Sequence, residues 1–203
     1  MSDFAKSTVL LFVLLNPFLV IIYLVDLVET LESQRFLRVL VQGGLIAAVV
    51  FCCFGLLGDA VFTSVVQAEF ASFQIFGGLV FLLIGMQFVF RGPNAIEMLR
   101  GHSPNLAGAI AMPVLIGPGT ISASVVIGQR HTPLLACTII FTAVAASIIL
   151  MLALKKIHDI VRPRSEPLIK RYIEITGRIM ALYVGTVAVE MIMKGIRTWI
   201  EKF

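Results

Sequence analysis

Six long apolar runs dominate this chain. They cover approximately residues 8–28, 39–58, 70–90, 106–127, 133–154 and 177–195. A helix needs about 20 apolar residues to cross the hydrocarbon of a bilayer, and each run is close to that length. Only 14% of the 203 residues are charged, too few to cover a water-soluble globule of this size. The expected fold is therefore an all-α membrane protein of six transmembrane helices. It forms a single transmembrane domain over 1–203, with little chain left between spans. The first run is longer than a signal-peptide core, carries Asn16-Pro17 at its middle and ends in Asp26 and Glu29 rather than a cleavage site. It is read as a span.

The charges orient the chain. With six spans, Lys6, Arg130, Lys194, Arg197 and Lys202 fall on one side. Arg35, Arg38, Arg91, Arg100, Lys155, Lys156, Arg162, Arg164, Lys170, Arg171 and Arg178 fall on the other. The second, richer set belongs in the cytoplasm, and both termini are then periplasmic. Trp199 is expected at the outer interface. The basic segment from Lys155 to Arg171 is expected against anionic headgroups as an orientation anchor. The net charge of +4 resides in these connections and gives no sign of nucleic-acid binding.

The two halves of the chain resemble each other. Gly77, Gly78 and Gly85 in the third run match Gly177, Arg178 and Gly185 in the sixth at an offset of 100 residues. Glycines on membrane helices let backbones approach closely, so Gly77, Gly78, Gly85, Gly177 and Gly185 are read as packing positions. Asn16-Pro17 in the first run matches Gly117-Pro118 in the fourth. The expected architecture is two inverted three-helix repeats, about 1–100 and about 101–203, with helices 1 and 4 broken.

Each break has its own chemistry. Proline removes a helix hydrogen bond and clashes with the preceding turn, while asparagine and glycine before it suit the start of a new helix. A helix that starts inside the membrane presents unpaired N–H groups and a partial positive charge. Two such starts would attract a substrate carboxylate. The candidate substrate-binding residues are Asn16, Pro17, Gly117, Pro118, Gly119, Thr120 and Ser122. The competing reading is a pair of structural kinks packed by neighbours. Glu190 and Gln87, polar within apolar runs, are the candidates for coupling to a proton or sodium ion. Equally, Glu190 can pair with Lys194 four residues on, and Gln87 can bond to a neighbouring helix.

Cys52, Cys53 and Cys137 lie within runs at no metal-binding spacing and read as small apolar fillers. His102, His131 and His158 fall in connections and form no metal cluster. Neither a Walker A loop nor a nucleophile-elbow motif is present. No cofactor, metal or enzymatic activity is expected.

The Asn16-Pro17 break, Gly77-Gly78, the stretch Ala111-Met112-Pro113-Val114-Leu115-Ile116-Gly117-Pro118-Gly119-Thr120-Ile121 and the closing Gly195-Ile196 together resemble the MarC family of bacterial membrane proteins. The resemblance covers essentially the whole chain. It implies a six-helix, multi-pass protein of the bacterial inner membrane, related to the LysE-type exporter superfamily. Transport of small neutral amino acids such as glycine and alanine is described for the wider family. This chain departs from the family pattern at Leu19, Ile22, Ile116 and Glu190. The expectation is a secondary transporter of small solutes, either importing or exporting and free to act as a homo-oligomer. The alternatives are a passive channel on paired half-helices and a non-transporting membrane scaffold.

Overall fold

The computed structural model describes residues 2–24, 28, 31–58, 60, 69–91 and 115–201, with backbone alone in several stretches such as 162–170. All regular structure among these residues is helical. The helices are α1 (Asp3–Leu15), α2 (Pro17–Tyr23), α3 (Ser33–Leu57), α4 (Phe70–Arg91), α5 (Pro118–Arg130) and α6 (Pro133–Ile200). Three of them contain segments long and apolar enough to cross a membrane: Ser33–Leu57, Phe70–Gln87 and Pro133–Val161. The first expected span is broken into α1 and α2. Of the fourth, only the part from residue 115 lies within the described residues.

Polarity is arranged as lipid demands. Leu134, Phe90, Phe76, Ile149 and Leu182 are among the most exposed large side chains, while Ser7, Thr120, Ser124, Ser147 and Lys155 are buried. Hydroxyls on exposed faces find partners within their own helix. Thr138, Thr142 and Thr186 each donate to the carbonyl four residues earlier, at 2.7–2.9 Å. In hydrocarbon no water would do this for them.

α6 is helical for 68 residues, including the stretch expected to be a cytoplasmic connection. His158 therefore lies on a helix and not in a loop. A straight helix of this length would extend about 100 Å and would hold Ile140 and Met191 about 76 Å apart. Contacts forbid that. Gly119 lies against Met191, while Gly55 lies against both Ser124 and Ile140. This chain of contacts spans roughly 35 Å at most. α6 therefore turns back into the same bundle. Pro163 and Pro167, which cannot donate to a helix, lie between its two arms.

The first arm of α6 packs antiparallel on α3, with Gly55 at Ile140 and Gly44 at Ile148. The second arm packs antiparallel on α4 through small residues. Ala71 meets Gly195, Gly78 meets Ala188 and Gly85 meets Ala181. Both sides advance seven residues per contact, the repeat of a left-handed helix pair. Gly85 also lies against the backbone of Gly185. Gly177 falls among residues whose side-chain surroundings are not described.

Candidate functional site

α5 begins inside the bundle. Gly117 is its N-cap, in extended conformation (φ −117°, ψ 165°), and Pro118 takes the first helical position. Proline suits that position because its missing N–H would be unpaired there anyway. Thr120 is buried, and its hydroxyl is occupied by its own turn. It accepts from the Gly117 N–H at 3.0 Å and lies 2.8 Å from the Gly117 carbonyl and 3.1 Å from that of Leu115. The Ile121 N–H donates to the Gly117 carbonyl at 3.0 Å. The N–H groups of Gly119 and Thr120 have no partner among the described residues. They form the positive end of a 13-residue helix.

Two other helices, α4 and α6, converge on this start. Gly77 of α4 packs directly against the Pro118 ring. A β-carbon on Gly117 would fall 2.5 Å from the Phe81 ring, and one on Gly119 would fall 3.6 Å from Met191 Sδ. Only glycine at 117 leaves room for the Phe81 ring, whereas a β-carbon at 119 would make ordinary contact. Gly77 and Gly78 therefore serve different partners, one facing α5 and the other facing α6. The Ser122 hydroxyl lies one turn further along α5. It is shielded from solvent and has no hydrogen-bond partner among the described residues.

The first break differs in detail. The sequence suggested Asn16 as an ordinary N-cap. It instead adopts the left-handed conformation (φ 44°, ψ 65°) and closes α1, its N–H reaching the Phe12 and Val13 carbonyls. Its own carbonyl then accepts from the Val20 N–H at 3.1 Å, so one residue ends α1 and starts α2. Asparagine is among the few residues other than glycine that adopt this conformation readily. Leu15 and Val20, flanking the break, share one buried cluster with Leu115, Ile116 and Ile121.

Ser7 and His131 are hydrogen-bonded at 2.9 Å and mark one end of the bundle. Measured along the helices from there, Asn16 lies about 14 Å deep and Gly117 about 21 Å. Both distances are shorter than the roughly 30 Å thickness of a bilayer's hydrocarbon layer.

Gln87 and Glu190 stand apart from this centre. Gln87 lies about 15 Å beyond Gly77 along α4, with its amide oxygen buried and unpartnered among the described residues. Glu190 is next to Met191 in sequence, but its carboxylate is more than half exposed and pairs with Lys194 at 3.2 Å. Phe81 and Met191 were not singled out from sequence, since nothing distinguishes them among 15 phenylalanines and 8 methionines.

Comparison with known proteins finds relatives described as membrane proteins. The chain is 20% identical to a UPF0056 membrane protein of Buchnera aphidicola, covering 99% of this chain and all of that protein. It is 21% identical to one of Pyrococcus horikoshii, covering 96% and 94%, and 26% identical to one of Methanocaldococcus jannaschii, covering 92% of each. No solved structure matches. The family model described as MarC family integral membrane protein matches residues 1–200, and the chain belongs to that family.

Proposed function

We propose that this protein is a secondary transporter of small solutes bearing a carboxylate, with small neutral amino acids of glycine or alanine type as the best candidates. The observation that carries the reading is the buried start of α5. It combines two N–H groups without partners among the described residues, a glycine N-cap that leaves the backbone bare, and a place about 21 Å along α5 from the Ser7–His131 end. Such a helix end stabilises an anionic group, and a break of this kind is tolerated at membrane depth only where protein or a wet cavity serves it. Phe81 and Met191 crowd the site, which favours a small ligand.

The transport cycle we infer is alternating access between two inverted three-helix repeats. Several features support the repeat. α2 starts at Pro17 and α5 at Pro118, while α3 starts at Ser33 and α6 at Pro133. Gly85 meets Gly185, its counterpart 100 residues on. The charge count favours the bacterial inner membrane with both termini periplasmic. Coupling to a proton or sodium ion belongs to the same reading.

The test is thermal stability of the detergent-purified protein against a panel of small amino acids and other carboxylates. A ligand selective for the native state raises the midpoint with concentration. The expected result is a rise with a small amino acid that is lost in Pro118→Ala, while Pro118→Ala itself remains folded. Equal binding by that variant would remove the half-helix site. No response to any carboxylate would favour a scaffold role.

A further inference from the structure

The second arm of α6 runs beside the apolar segment Phe70–Gln87 of α4. Gly78 stands at the middle of that segment and meets Ala188. Thr186 and Glu190 are each two residues from Ala188, and so lie within about 3 Å of the segment's mid-depth. Both are exposed. The Glu190 carboxylate pairs with the Lys194 ammonium at 3.2 Å, with more than half of each side chain open to the surroundings.

These residues do not stand alone. At 100° per residue, Thr186, Arg197, Glu190, Tyr183 and Lys194 fall within about 80° of one another around the helix, and all five are exposed. They form one polar stripe. Leu182, Val189 and Met193, also exposed, lie beside it on an apolar stripe that suits lipid.

The polar stripe does not suit lipid. Ionised groups at membrane depth are costly and face protein or water. The Thr186 hydroxyl is satisfied within its own helix, donating to the Leu182 carbonyl at 2.9 Å. The Glu190–Lys194 pair has no such shelter, because its outer side is bare. The pattern of charge specifies what fits there. An acid followed one turn later by a base is complementary to its own copy. A two-fold axis along the membrane normal sets two such arms side by side and parallel. Each Glu190 then stands about one turn from the Lys194 of the second copy. Four charges of alternating sign satisfy one another, and polar contacts of this kind strengthen helix association in lipid. A different protein would have to reproduce that spacing, whereas a second copy carries it already.

We propose that the polar stripe of α6 is the contact surface of a homodimer, held across its two-fold axis by Glu190 and Lys194 of both copies. The assembly is independent of whether the protein transports.

The experiment is disulfide trapping of the full chain in isolated membranes of the expressing cells. In a background of Cys52→Ala, Cys53→Ala and Cys137→Ala, one thiol is introduced as Thr186→Cys and oxidised with copper phenanthroline. The control is Ile149→Cys, 66% exposed on the first arm of α6. Thr186→Cys is expected to give a species of twice the chain's mass, at a yield about tenfold above the control. In the Thr186→Cys chain, Glu190→Lys or Lys194→Glu alone sets like charges together and should lower that yield about tenfold, while the two combined should restore it to within about twofold. A yield no higher than the control's overturns the interface and leaves the stripe to lipid. A linked species of any other mass overturns it in favour of a different protein. Full yield in both single reversals, or no recovery in the combined variant, overturns the role of the charges. Should the reversals fail to fold, Glu190→Gln takes their place: a yield lowered about threefold is expected, and an unchanged yield again refutes the proposal.

Discussion

A β-carbon on Gly78 would lie 2.8 Å from the carbonyl oxygen of Ala188 and 2.6 Å from the Ile192 side chain. The approach of α4 to α6 at this point is set by the absence of a side chain. Lipid competes with apolar contacts between helices, so close backbone packing carries much of the association. Gly78→Ala should therefore destabilise the protein by about 1–3 kcal/mol. Gly185 is the control, since a β-carbon there would meet nothing within 4 Å. Gly185→Ala should be neutral, or stabilising by up to about 1 kcal/mol through helix propensity. Melting of the two variants in one detergent decides the matter, and equal losses would refute the register.

Gly77 and Pro118 should behave as a coupled pair. Gly77→Ala drives a methyl group into the Pro118 ring, and Pro118→Ala removes part of that ring. A double-mutant cycle on melting stability should give a coupling of about 0.5–3 kcal/mol, as found for residues in direct contact. Additive effects would place the α5 start elsewhere.

Sequence made this centre legible because its signals are local. Proline lacks an N–H wherever it stands, so Gly117-Pro118 announces a helix start from two adjacent residues. Lys155 gave no such notice. It is buried with its ammonium donating to the Val28 carbonyl, 127 residues away, at 2.8 Å, whereas its basic neighbours suggest a solvated surface. The paired glycines were half legible. Their smallness marked them as packing positions, but only the three-dimensional register reveals that Gly77 serves Pro118 while Gly78 serves Ala188. The turn of α6 was hidden differently: the sequence suggested two spans with a loop between them, where the backbone stays helical.

The thiols of Cys52 and Cys137 are close neighbours across the α3–α6 contact, whereas Cys53 is exposed. Mild oxidation of the purified protein should link Cys52 to Cys137, with loss of two hydrogens and reduction of the added oxidant. Peptide mapping checks the linkage. Cys53 cannot substitute for Cys52, because adjacent helix positions are turned about 100° apart. A map showing Cys53 joined to Cys137 would contradict the packing of these helices.

Glu190 separates two roles by its exposure. Its carboxylate and the Lys194 ammonium are both more than half exposed, and such pairs contribute about 0–1 kcal/mol. Glu190→Gln should therefore change stability little. Any ligand-induced rise in melting midpoint should keep its dependence on pH and sodium in this variant. If that dependence disappears, Glu190 is a coupling group after all.

Ser122 offers the sharpest distinction between packing and binding. Its hydroxyl is shielded yet has no partner among the described residues, one turn from the Gly119 and Thr120 N–H groups, which likewise have none among those residues. An unsatisfied hydroxyl at such a place destabilises the folded chain. Ser122→Ala should leave the melting midpoint unchanged or raise it. If a ligand's polar group completes the site, the same variant should bind that ligand more weakly, by about 0.5–1.5 kcal/mol for one neutral hydrogen bond. Stability and binding then move in opposite directions, which a purely structural serine would not produce. Ser124 is the internal comparison, because its hydroxyl already donates to the Thr120 carbonyl at 2.7 Å. Ser124→Ala should cost stability, having removed a satisfied bond. Loss of stability in Ser122→Ala, with ligand response intact, would assign Ser122 to packing and confine the binding site to the backbone of the α5 start.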